Sequence, residues 1–215
     1  NSFTTQTNCS VGLEGPLAAC YADALYQSLS ENHPNIHFTV SNSTMLDTNK
    51  NIFDNFDIIL QGTITQQTPH VLNSLASDYT AKILLTVPNY IWCSTSSPLS
   101  QKKNITLSTL EKERPVIYKT AQVNPAYRPM LHTDYNPIID VREQFIAAVE
   151  KDGCYVSDSP LFHGKMFYEN ILNIDTIICK KTALNVQLLM MYRKTVNENI
   201  LLNISNFITQ QIEHK

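Results

Sequence analysis

The segment 140–160, Asp-Val-Arg-Glu-Gln-Phe-Ile-Ala-Ala-Val-Glu-Lys-Asp-Gly-Cys-Tyr-Val-Ser-Asp-Ser-Pro, restricts the fold of this chain more than any other. Val141, Phe145, Ala148 and Val149 recur at the spacing of one helical face. Asp140 suits the N-cap, and Gly153 suits the left-handed residue that stops a helix. Cys154, Tyr155 and Val156 lean to a strand, and 157–160 reads as a turn. A helix that stops on glycine and feeds a strand is half of an α/β repeat. In open α/β sheets, ligands sit just past the carboxyl ends of the strands. Ser157, Asp158 and Ser159 are therefore the first candidates for ligand contact.

The rest of the chain extends the same pattern. A strand is predicted over 4–11, then a turn at Gly12-Leu13-Glu14-Gly15, with Pro16 where a helix should begin. Leu17, Cys20, Tyr21, Ala24, Leu25 and Leu29 mark one helical face up to about Asn32. Strand 36–40, a short helix 44–53 and the nearly all-apolar strand 56–60 follow, ending at Gln61-Gly62-Thr63. An apolar strand of that kind suits a sheet covered on both faces. Residues 81–87 and 90–93 read as a strand pair or one broken strand. A polar loop 94–103, a helical turn 107–110 and strand 115–118 come next. The irregular stretch 119–135 leads to strand 137–139. Strands 174–179 and 186–192 and a helix 197–214 close the chain, with Ile200, Ile204, Phe207, Ile208 and Ile212 on one side.

Composition excludes several classes. With 43% hydrophobic and 16% charged residues, the 215-residue chain can bury a core. A net charge of −3 provides no basic field for nucleic acid. No apolar run reaches membrane-spanning length, so no membrane partner is expected. The polar start lacks a signal-peptide pattern and a Met, and reads as a fragment or a processed form. Five cysteines, none two residues apart, fit neither a disulfide framework nor a zinc site, and indicate a reducing, cytoplasmic setting. Cys93 and Cys154 are candidates for redox sensing, against the blander reading of inert buried thiols. The six histidines show no metal-ligand spacing. Nucleophile-elbow, phosphate-loop and dinucleotide motifs are absent from the sequence, so no metal, no cofactor and no enzyme activity is expected.

Several landmarks in order then resemble the effector-binding domain of LysR-type transcriptional regulators. They are the Pro-started helix 15–32, His33-Pro34-Asn35-Ile36, and Phe56-Asp57-Ile58-Ile59-Leu60. They continue with Tyr90-Ile91-Trp92-Cys93, Ser97-Pro98-Leu99-Ser100, the segment 145–160, and Tyr192-Arg193-Lys194 before the last helix. Two departures stand out: Ser97 replaces the usual His, and Tyr155 stands where a second Gly is common. The resemblance implies an α/β fold of two Rossmann-like lobes, each with its own sheet, joined by crossover strands in the manner of type II periplasmic binding proteins. It places lobe I at 1–93 plus 186–215 and lobe II at 94–185. It implies a small-molecule effector between the lobes and a homodimer or homotetramer. In that assembly helix 16–32 and strand 36–40 face the partner's helix 141–152. DNA would be reached only through a winged helix-turn-helix preceding residue 1. A transporter's solute-binding protein shares the same two-lobe plan and is the alternative.

Mapped onto this plan, lobe I lines the site with Gly12, Leu13, Glu14, Gly15, Gln61, Gly62 and Thr63. Lobe II contributes Tyr118, Lys119, Thr120, Tyr135, Tyr155, Val156 and Ser157. The N–H groups of a helix start and hydroxyls at strand ends can hold a polar ligand. Each residue also has a plainer reading. On that reading Thr63 and Ser157 cap the next element, Lys119 is a solvated charge, and Tyr135 packs locally. Glu14 would repel an acidic effector and is expected to point to solvent.

Overall fold

A computed structural model describes residues 8–43, 52–110, 112–113, 117–118, 138–139, 149–150, 155–159, 161 and 175–213. Its strands are β1 (Asn8–Leu13), β2 (His37–Asn42), β3 (Ile58–Ile64), β4 (Tyr79–Ser94), β5 (Ile117–Tyr118), β6 (Ile138–Ile139), β7 (Tyr155–Asp158) and β8 (Ile177–Arg193). Its α-helices are α1 (Gly15–Asn32), α2 (Thr68–Asn73), α3 (Pro98–Gln101), α4 (Leu107–Leu110) and α5 (Glu198–Glu213). The chain divides into two compact units, Asn1–Leu85 with Gln187–Lys215, and Thr86–Val186. The sequence reading put these divisions at 93/94 and 185/186.

In the first unit, β1 pairs in parallel with β2 and with β3, so that Val11 faces both Val40 and Ile58. Helix α1 connects β1 to β2 and packs on both strands and on α5. It starts at Gly15-Pro16 because proline presets a helical φ where no N–H is needed. Leu17, Tyr21, Leu25 and Leu29 recur every four residues and are all buried. Each such side chain contributes about 1.5–3 kcal/mol of transfer free energy. The last helix repeats the device with Ile200, Ile204 and Ile208, all buried, while Leu202 is left 58% exposed. Strand β3 is buried along both faces, as its apolar sequence predicts. Phe56, Ile59, Leu189 and Met191 form one core cluster, so the two ends of the chain share this core. Gly12 is required by close approach: a Cβ there would lie 2.9 Å from the Phe56 ring and 3.0 Å from Ser43 Cβ.

The second unit holds β7 antiparallel to β4, with Trp92 opposite Val156 and Cys93 opposite Tyr155. A separate parallel pair joins β5 to β6. Ser97 caps α3, its hydroxyl accepting the Leu99 N–H at 3.2 Å. Asn89 and Thr182 are buried polar residues that satisfy each other. The Asn89 side-chain amide donates to Thr182 Oγ1 at 3.3 Å, and that hydroxyl donates to the Asn89 carbonyl at 2.9 Å.

Two expectations are corrected. Residues 79–94 form one strand, which decides between a strand pair and one broken strand, and 177–193 form one strand where two, 174–179 and 186–192, are expected. Because both long strands belong to both units, six strands share one hydrogen-bonded order, β2-β1-β3-β8-β4-β7, rather than one sheet per lobe. Helix 140–152 lies outside the described residues except for helical Val149 and Glu150, as does most of the predicted helix 44–53.

Candidate functional site

In the first unit the candidate residues gather where β1 turns into α1 and where β3 ends. β3 outruns β1: the last paired residues are Leu13 and Leu60, and the Glu14 N–H donates to the Leu60 carbonyl at 3.0 Å. Past that point the Gly62 N–H has no β1 carbonyl opposite it. The Glu14 carboxylate supplies the acceptor, with Oε2 2.7 Å from the Gly62 nitrogen. Glu14 is 1% exposed, so the expectation that it points to solvent is wrong. The reason is local: turning outward would leave a buried N–H unsatisfied, at a cost of about 1–3 kcal/mol.

Gly12 and Leu13 are buried within β1, and Gly15 begins α1. Gln61 is half-buried. Thr63 is 1% exposed, and its Oγ1 has no hydrogen-bond partner among the described residues. The side-chain nitrogen of Gln67, four residues on, is likewise buried without one. Such groups are uncommon, because a buried polar atom is normally paired. Thr63 therefore caps nothing described, which removes its plainer reading. Gln67 was missed by sequence reasoning, although the polar run Thr65-Gln66-Gln67-Thr68 directly after an apolar strand marks the place. Thr68 is occupied, donating to Gln187 Oε1 at 2.6 Å.

In the second unit, Tyr155 is fully buried and its hydroxyl donates to the Leu110 carbonyl at 3.5 Å. Val156 and Ser157 lie in β7 opposite Trp92 and Ile91. Ser159 is fully buried, and its hydroxyl accepts the Leu161 N–H at 3.2 Å, which is a local cap. Tyr118 lies in β5. Lys119, Thr120 and Tyr135 are outside the described residues.

Cys93 is fully buried, and burial pushes its thiol up to about 11, Lys180 pulling weakly the other way. A thiol so held carries almost no thiolate near neutrality, so Cys93 does not suit redox sensing. Cys154 lies outside the described residues. No group of three His, Cys, Asp or Glu that could hold a metal occurs among the described residues. No described helix is long and apolar enough to cross a membrane.

The arrangement defines a class first: a mixed α/β chain of two units linked by two long strands, with polar groups gathered at strand ends. No family model and no curated protein matches the sequence. Solved structures do match. The regulatory domain of MetR, a LysR family regulator from N. meningitidis, shares 11% identity at a TM-score of 0.65, over 95% of this chain and 93% of that one. The reduced form of the OxyR regulatory domain from a pseudomonad, P. aeruginosa, gives 14% identity and a TM-score of 0.56, over 94% and 96%. The effector-binding domain of a BenM variant gives 12% and 0.58, over 97% and 96%. The chain thus has the fold of LysR-type regulatory domains, the periplasmic-binding-protein-like plan that the sequence landmarks resemble.

Proposed function

We propose that the chain is the effector-sensing and dimerising domain of a LysR-type transcriptional regulator. The observation that carries this reading is the near-complete coverage of regulatory domains by one fold, joined to unsatisfied polar groups at the end of β3. A buried hydroxyl and a buried amide without partners cost free energy that a bound polar molecule returns. On this reading the domain binds without turnover, in the cytoplasm, and touches DNA only through a separate winged helix-turn-helix. Ligand binding acts by population shift: it favours one conformation and so alters the geometry of a dimer or tetramer. Helix α1 and the edge strand β2 are the surface proposed for the partner subunit.

Two measurements test it. The coding sequence upstream of residue 1 should specify a winged helix-turn-helix; a transporter-type signal peptide there defeats the reading. Native mass spectrometry of the purified protein should show a small molecule bound at one per chain and unchanged on prolonged incubation.

A further inference from the structure

We infer that Thr63 and Gln67, where β3 passes into α2, receive an oxygen acceptor of the ligand: a carboxylate or carbonyl oxygen. The inference rests on the effector-binding reading and adds the chemical class that this part of the site takes. β3 ends at Ile64, and Thr65–Gln67 form a single 3₁₀ turn that leads into α2. Such a turn advances only about 2 Å per residue, so Gln67 stays close to the strand end that carries Thr63. The side-chain nitrogen of Gln67 is buried and has no hydrogen-bond partner among the described residues. An amide nitrogen carries two N–H donors and accepts nothing, so only an acceptor can satisfy it.

The second observation concerns a different side chain. Thr63 is 1% exposed, and its Oγ1 is unpartnered among the described residues. A hydroxyl donates as readily as it accepts, so an oxygen that satisfies Gln67 also suits Thr63. Thr68, next in the chain after Gln67, is already engaged: its hydroxyl donates to Gln187 Oε1 at 2.6 Å, and its N–H to the Thr65 carbonyl. Two unpaired buried groups within five residues are a local sacrifice of stability, because such groups are normally paired. A sacrifice of that kind is the mark of a site completed by its ligand.

The first arm of the test needs no ligand. Thr63→Val removes the hydroxyl at almost unchanged shape, and Gln67→Met removes the amide at similar length. Each variant should unfold about 2–4 °C above the native chain, the shift expected when an unpaired buried polar group is taken out of a chain of this size. A lower Tm in either variant would mean that its group is already satisfied, as by a buried water, and overturns the inference. The second arm uses phenylacetate, phenylacetamide and phenethylamine, and hexanoate, hexanamide and hexylamine, with thermal shift and titration calorimetry. In each set the acid and the amide carry an oxygen acceptor, whereas the ammonium group carries donors alone. An acceptor compound should bind about tenfold more tightly than the amine, and Thr63→Val and Gln67→Met should each weaken it about tenfold. Which of the two leads, carboxylate or amide, separates a charged ligand from a neutral one. Gln67→Glu, which puts an acceptor where the donor stood, should turn the preference towards the amine. An amine that binds the native chain as tightly as both acceptor compounds, or affinities unchanged in both variants, overturns this inference and leaves the effector-binding reading intact. Silence from every compound up to about 10 mM overturns both, since specific ligands at that concentration raise Tm by mass action.

Discussion

Asp57 Oδ2 accepts both the backbone N–H and the hydroxyl of Ser10, each at 2.8 Å. Its other oxygen lies 3.4 Å from Arg193 Nε, and the Arg193 N–H donates to the Asp57 carbonyl at 2.9 Å. One side chain thereby ties β1, the approach to β3 and the end of β8 together. Arg193 extends the tie to Asp78 and to the Phe53 carbonyl, and lies 5.0 Å over the Tyr79 ring. Asp57→Ala is expected to lower stability by about 1.5–3 kcal/mol, the range for hydrogen bonds to a charged group. Urea unfolding checks this, with a lower midpoint at unchanged slope.

Glu14 offers a paired comparison. Glu14→Ala strands the Gly62 N–H and should cost about 1–3 kcal/mol. Glu14→Gln retains an acceptor and should cost clearly less. Equal losses in thermal unfolding would mean that the charge, and not the acceptor, holds this junction.

Gly12→Ala places a methyl group 2.9 Å from the Phe56 ring, inside a core that also contains Ile59 and Leu189. Overpacking of that kind costs about 1–3 kcal/mol. Gly12→Ala should therefore unfold at a lower temperature, and Phe56→Leu in the same chain should recover part of the loss. Additive effects of the two changes would argue against the contact.

Alkaline stability follows from two buried acids. Burial raises Cys93 from 9.0 to about 11 and Tyr79 from 10.0 to about 12, with Arg193 opposing the Tyr79 shift and Asp57 and Asp78 adding to it. Both groups hold their protons longer folded than unfolded. Stability is therefore full below pH 9, falls between 9 and 11 with Cys93, and falls between 10 and 12 with Tyr79. Tyr79→Phe should flatten the upper limb of a pH–Tm profile while lowering Tm at neutral pH, because the hydroxyl donates to the Phe53 carbonyl at 2.8 Å and also to that of Phe56. In the same protein near neutral pH, alkylating reagents should label exposed Cys179 well before Cys93.

The first unit was legible where local chemistry and packing agree. Pro16 announces α1, the apolar run at 56–60 announces β3, and the fourfold spacing of Ile200, Ile204 and Ile208 announces α5. The long strands were not legible, because their environment changes along their length. Residues 177–186 mostly alternate buried and exposed, whereas 188–191 are all buried, so one strand reads as two. Pro88-Asn89 reads as a break in β4, yet Asn89 finds its partner in Thr182, 93 residues away. Glu14 was misread for a related reason: no local pattern reveals that β3 extends past β1 and needs an acceptor there. The orphaned hydroxyl of Thr63 is likewise a property of the assembled fold.

Leu189 and Met191 belong to the same core as Phe56 and Ile59, more than 120 positions earlier in the chain. During synthesis, the earlier half of that core must wait with its apolar surface uncovered while the whole stretch 86–186 leaves the ribosome. Premature termination anywhere before residue 187 would therefore yield a product unable to complete its first unit, and one prone to aggregate or to be degraded.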